Sequence, residues 1–324
     1  MKKVLLTGGT GLIGHFLLMR LLQEGHTVKA LVRNTVSEVR HSNLEWLQGD
    51  ILDPLLIRDL VAEVDEVYHC AGFVSYAPQD VGLLQQINVA GTTNVVDACL
   101  ENPSVRLCYV SSIAAINRRK GEKVIQEKAQ WDPAVERSAY AVSKHYGEME
   151  VWRGVSEGLK AVIVNPSIVL GPRDWSRSST QLFKYVAEER AFYSHGYGNF
   201  VDVRDVVEAM VRLMNGKQWG ERFILNGHQL SYVDFFRQVA QTMNKKAPYL
   251  LVPNWITELV WRVEAVRGKL TGTRPLITKE TARIAKEEHF YSNEKVKEAT
   301  GMSFRPLQET LLWCSRQLVS KGSA

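Results

Sequence analysis

Short apolar runs rich in β-branched residues alternate with longer stretches of helical periodicity through the first two-thirds of the chain. The runs lack polar alternation, which is typical of parallel strands covered on both faces. The predicted strands are Lys3–Thr7, Thr27–Val32, Leu44–Gln48, Glu66–Cys70, Arg106–Ser111, Ala161–Asn165 and Arg222–Asn226. The predicted helices are Leu12–Glu24, Leu55–Glu63, Val81–Glu101, Ser138–Glu157 and Val203–Met214. This alternation predicts an α/β fold with a doubly wound parallel sheet of about seven strands.

The pattern changes in two later segments. Residues 172–200 hold Gly, Ser, Arg and aromatic residues without a strong period, whereas residues 228–324 have a mostly helical pattern interrupted by prolines. We predict that these segments form one smaller, mostly helical substrate-binding lobe over the carboxyl edge of the sheet, where doubly wound folds bind their ligands. The larger domain then consists of residues 1–171 and 201–227.

Composition excludes several classes of protein. The 324 residues carry a net charge of +5, and the basic residues are scattered, so a nucleic-acid partner is not expected. No signal peptide opens the chain, and no apolar stretch approaches the roughly 18 residues of a membrane span. The cysteines and histidines share no metal-ligand spacing. We therefore expect a cytoplasmic protein with free thiols, no metal and no membrane contact.

A glycine-rich turn follows the first predicted strand and opens the first predicted helix. Gly9, Gly11 and Gly14 satisfy G-x-G-x-x-G, and Gly8 with the last two satisfies the wider G-x-x-G-x-x-G. Such a turn lets the backbone approach a pyrophosphate, to which the helix N-terminus offers free N–H groups. This context favours a dinucleotide site over a glycine turn without a ligand. The predicted cofactor-binding residues here are Gly8, Thr10, Gly11, Leu12, Ile13 and Gly14.

The end of the second predicted strand indicates which dinucleotide binds. NAD enzymes usually place an acidic residue there to bind the ribose 2′-OH, but this chain has Arg33 and no acid. A guanidinium suits a 2′-phosphate, so the sequence predicts NADP(H), unless Arg33 is merely a surface residue. After the third strand, Asp50 and Ile51 are placed to cap the adenine, although Asp50 could equally be a turn residue.

Two further clusters carry candidate chemistry. Tyr140 and Lys144 are four residues apart and share one face of a predicted helix. An ammonium near a phenol would lower the phenol pKa from about 10 toward working pH, as a general acid for an alcohol–ketone couple requires. Ser111 and Ser112 end a predicted core strand, where a hydroxyl could hold the substrate oxygen. The alternatives are an ordinary surface pair and a serine pair that starts a turn.

Together these clusters resemble the extended short-chain dehydrogenase/reductases of the NAD-dependent epimerase/dehydratase superfamily, whose fold is a Rossmann sheet. The glycine turn, the serine and Y-x-x-x-K occur in the order and spacing of that family. Further landmarks are Val67–Gly72, Ile87–Thr92, Asn165–Pro172 and Phe200–Val206. The resemblance covers about residues 1–227 specifically and the C-terminal lobe only loosely. It is strongest to the dihydroflavonol-4-reductase-like branch, which Arg33 and the placement of Asn117 five residues after Ser112 both fit.

The resemblance also implies residue roles. Ser112 rather than Ser111 is the catalytic serine, Tyr140 is the proton donor or acceptor, and Lys144 binds the nicotinamide ribose and tunes the tyrosine. Asn88 would order the site from a neighbouring helix. Further cofactor contacts are implied for Ala71, Gly72, Pro166 and Ser167.

The predicted activity is NADP(H)-dependent reduction of a ketone or aldehyde to an alcohol. Aromatic residues expected near the mouth favour an apolar or aromatic carbonyl substrate, and these are Phe73, Tyr76, Trp131, Trp175, Phe183 and Tyr193. One alternative is a nucleotide-sugar epimerase or dehydratase with tightly held NAD, but Gly198 and Asn199 replace the Arg-Asp usual in those enzymes. A second alternative is a non-catalytic NADP(H)-sensing protein. The family also suggests a homodimer, paired through helices 81–101 and 138–157.

Overall fold

The computed structural model describes residues 1–34, 38–117, 124–129, 131–132, 135–173, 179–253 and 289–322. Trp175 therefore lies outside the described residues. The strands are β1 Lys3–Thr7, β2 Thr27–Val32, β3 Leu44–Gln48, β4 Glu66–His69, β5 Arg106–Val110, β6 Val124–Ile125, β7 Lys160–Pro166, β8 Ile168–Leu170, β9 Phe192–Tyr193, β10 Tyr197–Asp202, β11 Glu221–Leu225, β12 His228–Ser231, β13 Leu250–Leu251 and β14 Phe290–Tyr291.

The helices alternate with these strands as predicted. The α-helices are α1 Leu12–Gln23, α2 Pro54–Val61, α3 Val81–Gln85, α4 Gly91–Leu100, α5 Ala139–Ser156, α6 Thr180–Ala187, α7 Val203–Asn215, α8 Tyr232–Met243, α9 Glu294–Thr300 and α10 Leu307–Gly322. The predicted helix 81–101 is not uniform, because a π-helical turn over Gln86–Ala90 joins α3 to α4. Such a turn accommodates an extra residue within a helix, and it often occurs at functional sites.

The main sheet confirms the predicted doubly wound Rossmann fold. Its seven strands run in the order β11-β7-β5-β4-β1-β2-β3, and every neighbouring pair is parallel. The order reverses beside β1, so the carboxyl ends of β1 and β4 flank the crevice in which such sheets bind ligands. The predicted bounds were right to within one residue at each strand end.

Apolar cores cover both faces of the main sheet. One core joins the sheet to α1 and α7, and the other joins it to α2, α4 and α5. Because both faces are covered, the strand side chains are buried in either direction, which explains the continuous apolar runs in the sequence. A third cluster is built around Phe183, Phe200 and Phe235, and it holds α6, α8 and α10 together beside the sheet.

The smaller lobe contains more strand than the sequence indicates. A second sheet has the order β12-β10-β8, and β9 pairs with β13. The predicted boundary between residues 200 and 201 falls inside β10, since Phe200 pairs with Ile168 and His228 on either side. The division into two domains remains a prediction. Among the described residues, no helix is long and apolar enough to cross a membrane.

Candidate active site

The carboxyl ends of four adjacent strands bring most of the predicted site residues to one edge of the sheet. Gly8 follows β1, Ala71 and Gly72 follow β4, Ser112 follows β5, and β7 ends at Pro166. Parallel strands necessarily present their carboxyl ends on one side, so residues far apart in the chain meet there.

The glycine turn is sterically closed to larger residues at two positions. Gly8 has φ +71° and lies so near the next strand that a Cβ would be 2.6 Å from the Ala71 nitrogen, while a Cβ on Gly14 would be 2.2 Å from the Gly8 oxygen. No side chain caps α1 at Gly11. The Gly11 N–H donates to the Gly8 carbonyl at 2.9 Å, and the N–H groups of Leu12, Ile13 and Gly14 remain available to a phosphate, as in other helix N-terminal anion sites.

The residues of this edge fit a dinucleotide. The Oγ of Ser167 and the Oδ1 of Asn165 are buried without a hydrogen-bond partner among the described residues, although buried polar atoms are normally paired. Arg173, which belongs to none of the sequence motifs, donates from its guanidinium to the Thr10 carbonyl at 3.3 Å. The Arg173 guanidinium beside the glycine turn suits the phosphate end of such a ligand. The unpaired polar atoms of Asn165 and Ser167, further along the edge, suit its amide end.

At the expected adenine end, Asp50 takes part in a turn. Its carboxylate accepts from the Leu52 backbone N–H at 3.0 Å, so it caps a turn. Ile51 is 8% exposed and packs over Gly91, where a Cβ would come within 2.5 Å of its Cδ1. Arg33 is exposed immediately after β2, where a ribose 2′ substituent would be met.

Tyr140 and Ser112 form the centre of the site. Ser138 caps α5 by accepting from the Ala141 N–H at 2.8 Å, which places Tyr140 in the first helical turn. Burial raises the pKa of Tyr140, while its hydrogen bond with Ser112 has a smaller, opposite effect. The Ser112 Oγ also accepts from the Ala114 N–H at 3.1 Å. The edge of the Tyr76 ring contacts Tyr140, with ring centroids 5.7 Å apart.

The Lys144 side chain extends from α5 toward β5. Its Nζ donates to the Val110 carbonyl at 2.8 Å and to the Tyr109 hydroxyl at 3.1 Å. Burial lowers the pKa of Lys144 to about 8, against the opposite effect of Glu148. The expectation that the ammonium lowers the Tyr140 pKa is not met among the described residues, because burial dominates that pKa and the opposing influence comes from the Ser112 hydrogen bond.

Asn88 lies in the π-helical turn and is connected to Tyr140 indirectly. Its side-chain amide donates to the Phe73 carbonyl and to the Ser143 Oγ, each at 2.9 Å, and its Oδ1 accepts from the Phe73 N–H at 2.8 Å. Ser143 in turn donates to the Tyr140 carbonyl at 2.8 Å. Asn88 thus connects the loop after β4 to the helix that carries Tyr140.

The sequence profile of the NAD dependent epimerase/dehydratase family matches residues 4–225. The chain belongs to this family. It is 29% identical over 94% of its length to a putative dihydroflavonol 4-reductase of Synechocystis sp., covering 91% of that protein. It is 30% identical to tetraketide alpha-pyrone reductase 2 of Arabidopsis thaliana, over 76% of this chain and 84% of that protein. The crystal structure of gox2253 superposes with a TM-score of 0.84 at 29% identity, covering 98% of both chains.

This membership confirms the predicted resemblance to the extended short-chain dehydrogenase/reductases. The chain is an NAD(P)-dependent oxidoreductase or epimerase of that kind. Within the residues that the structure describes, no group of three or more His, Cys, Asp or Glu side chains could hold a metal ion. The four cysteines are free thiols.

The carboxylate of Glu148 on α5, which belongs to none of the sequence motifs, is buried next to the site. It accepts from the Ser111 Oγ at 2.7 Å and the Asn165 amide at 2.8 Å, and it pairs with Arg222 at 2.9 Å. Glu148 is four residues after Lys144 on α5, so helical spacing was the available signal. Through these contacts α5 holds the ends of β5 and β7, which present Ser112 and Ser167.

Two aromatic residues predicted near the mouth lie elsewhere. Phe183 is 1% exposed and packs against Phe235 in the core of the smaller lobe. Trp131 stacks on His145 with centroids 3.8 Å apart, and it lines a separate cavity of about 380 Å³ with Trp152. Periodicity identifies which segments approach the sheet edge but not where an individual side chain points. Phe73 and Tyr193 are both half-buried, and among the described aromatic residues of this set Tyr76 contacts Tyr140 through its ring.

Proposed function

We propose that this protein is an NADP(H)-dependent reductase, dihydroflavonol-4-reductase-like in type, that converts a ketone or aldehyde to an alcohol. The observation that carries the proposal is the buried Tyr140, which is hydrogen-bonded to Ser112 and lies on one helix with the buried Lys144 at the carboxyl edge of the sheet. A buried phenol that keeps its proton, held by a second hydroxyl, suits donation to a developing alkoxide. The names of the two reductase relatives support this direction of the chemistry.

Each residue then has a distinct task. The nicotinamide, when bound, supplies the hydride. Tyr140 donates its proton to the substrate oxygen, and Ser112 stabilises the charge that develops on that oxygen. Lys144 has one N–H left after its two bonds to β5, and we assign it to the nicotinamide ribose. The glycine turn binds the pyrophosphate, and Pro166 and Ser167 lie where the carboxamide is expected.

The choice of NADP(H) rests on Arg33. Its guanidinium is exposed at the end of β2, with no acidic residue directly before or after it in the chain. Lys29, the other basic residue of this strand, pairs with Glu63 instead. A guanidinium forms strong, charge-assisted hydrogen bonds with a phosphate and gains less from a free ribose hydroxyl.

The substrate side favours an apolar or aromatic carbonyl compound. The Tyr76 ring lies against Tyr140, and on the same loop Val74 is exposed and Phe73 is half-buried. These groups offer apolar surface next to the proposed proton donor. We propose no nucleic-acid or membrane partner and a cytoplasmic location, for which the free cysteines are the support.

The test is a panel of aliphatic and aromatic ketones and aldehydes, assayed at fixed NADPH by loss of nicotinamide absorbance. Saturable turnover of at least one carbonyl supports the proposal, and the cofactor that co-purifies is identified by mass spectrometry. Tightly held NAD, together with turnover of nucleotide sugars and none of carbonyls, would instead support an epimerase. Binding of NADPH without any turnover would indicate a sensing protein.

A further inference from the structure

The β5 strand determines where the Lys144 ammonium points. Nζ donates to the Tyr109 hydroxyl at 3.1 Å and to the Val110 carbonyl at 2.8 Å, and it lies 4.6 Å from the Tyr109 ring centroid. An ammonium has three N–H donors, so these two bonds fix the direction of the third. Of the two acceptors, Val110 contributes a backbone carbonyl and Tyr109 contributes a side-chain hydroxyl. Substitution can remove the hydroxyl while the carbonyl stays in place.

Tyr109 is itself held in place by burial and by Thr92. The Tyr109 side chain is fully buried, and its hydroxyl is hydrogen-bonded to Thr92. Burial raises the pKa of Tyr109, so the phenol keeps its proton. Gly147 leaves space for this hydroxyl, because a Cβ there would lie 2.7 Å from it. Since the Tyr109 oxygen accepts from Lys144, its own proton is free to be donated to Thr92.

The directions of the remaining hydrogen bonds follow from Thr92. Its hydroxyl donates to the Asn88 carbonyl at 2.8 Å, so at its contact of 3.1 Å with His69 it must accept from Nε2–H. His69 is then the neutral Nε2–H tautomer, in agreement with burial lowering its pKa to about 3. Its Nδ1 accepts from the Thr7 hydroxyl at 2.6 Å, and Thr7 Oγ1 accepts from the Ala71 N–H at 3.2 Å.

We propose that Tyr109 is a positioning residue for Lys144. The hydrogen-bonded chain Thr7–His69–Thr92–Tyr109 fixes the Lys144 ammonium relative to the sheet edge at which the cofactor is proposed to bind. The chain begins next to Gly8, contacts the loop after β4 at Ala71, and ends at the ammonium. It therefore joins three segments to which we assign cofactor contacts. The ribose-binding task of Lys144 rests on the proposed function, whereas the hydrogen-bonded chain does not.

The first test measures the Lys144 pKa without substrate or cofactor. The other groups with an electrostatic effect on Lys144 are Glu148 and Cys70. Protein with ¹³C-labelled lysine is titrated by NMR as wild type and as Tyr109→Phe, and the Lys144 signal is assigned by its loss in Lys144→Met. Loss of an accepting oxygen disfavours the ammonium, so the Tyr109→Phe midpoint is expected about one pH unit lower. Equal midpoints overturn the proposal.

A matched control is Tyr68→Phe, which removes a hydroxyl from a buried tyrosine on the adjacent strand β4. Tyr68 is 2% exposed and packs in the core on the opposite face of the sheet from Tyr109. The Lys144 titration midpoint in Tyr68→Phe should equal that in wild type.

A ¹⁵N spectrum of the histidine side chains provides a second, independent readout, since neutral His69 should carry its proton on Nε2. A proton on Nδ1 would overturn the proposed direction of the chain.

The second test uses turnover with NADPH. Tyr109→Phe should lower kcat/KM for the cofactor about 10-fold and move the alkaline limb of its pH profile down with the NMR midpoint. Thr92→Val should share part of both effects, and Thr92→Ser, which keeps the hydroxyl, should restore them. If no carbonyl is ever turned over, the proposed function fails while the NMR midpoints still decide the positioning role. Altered turnover with unaltered midpoints rejects the positioning role alone.

Discussion

The phenol of Tyr140 is the group that the proposed chemistry can least replace. It is buried, bonded to Ser112, and keeps its proton because burial raises its pKa. Tyr140→Phe removes the transferable proton and leaves the ring in place, so turnover should fall at least about 10²-fold while NADPH binding survives. Steady-state kinetics and a cofactor fluorescence titration measure the two effects. Near-normal turnover by this variant would contradict the assignment.

Arg33 is the residue on which the proposed preference for NADP(H) rests. If its pairing with a 2′-phosphate contributes about 1.5–3 kcal/mol, wild type should prefer NADPH roughly 10- to 100-fold in kcat/KM. Arg33→Asp should reverse that preference, because a carboxylate repels the phosphate and suits a free 2′-OH. Lys29→Ala is the matched control, since Lys29 is engaged by Glu63. Equal loss with both cofactors in Arg33→Asp would show that Arg33 does not contact the phosphate.

Spacing along the chain identified the reactive side chains but not their surroundings. Tyr140 and Lys144 share a helix face because they are four residues apart, and this could be predicted. Tyr109 and His69 come from different strands, and only the parallel register brings them together, with ring centroids 5.6 Å apart. Whether burial or a neighbouring cation controls a pKa also depends on tertiary packing, which explains the error over Tyr140.

At the scale of elements, a buried ion pair holds α5 against the edge strand β11 of the sheet. The Glu148 side chain is 2% exposed and that of Arg222 is 17% exposed. Arg222 also donates to the Glu127 carbonyl at 2.7 Å. Removing one partner of such a pair leaves an uncompensated buried charge, which is more costly than replacing both partners.

Arg222→Met should therefore lower the free energy of unfolding by about 3 kcal/mol in a denaturant titration. Adding Glu148→Gln in that background should recover part of the loss, because the amide carries no charge and can still accept from Ser111. Glu221→Gln is the control, since the Glu221–Lys295 pair on the same strand is exposed and should contribute no more than about 1 kcal/mol. Similar losses for Arg222→Met and Glu221→Gln would contradict this view of the pair.

The main elements could be predicted to within a few residues because two covered faces impose continuous apolar runs on each strand. The π-helical turn at Gln86–Ala90 could not, since its composition differs little from that of an ordinary helix. The strand β10 likewise combines Gly198 and Asn199 with Phe200, so its pairing with β8 and β12 depends on its position rather than on periodicity.

For the whole molecule, the predicted homodimer requires an exposed apolar surface at which two subunits could pair. Several apolar residues of the predicted pairing helices are buried, including Leu84, Val95 and Val151, which are all 0% exposed. Leu83 on α3 and Tyr146 and Met149 on α5 remain exposed, at 36%, 52% and 47%. Because α3 and α5 pack side by side, these side chains offer a surface for self-association.

We predict that the protein is a homodimer paired through this surface. Light scattering at micromolar concentration should give about twice the chain mass of 36.6 kDa. Met149→Glu places a charge in the proposed interface and should shift the protein to a monomer, because an unpaired buried charge opposes association. Met19→Glu is the matched control, since Met19 is 37% exposed on α1, away from this surface. A monomeric wild type, or equal dissociation by the two variants, would place the interface elsewhere or remove it.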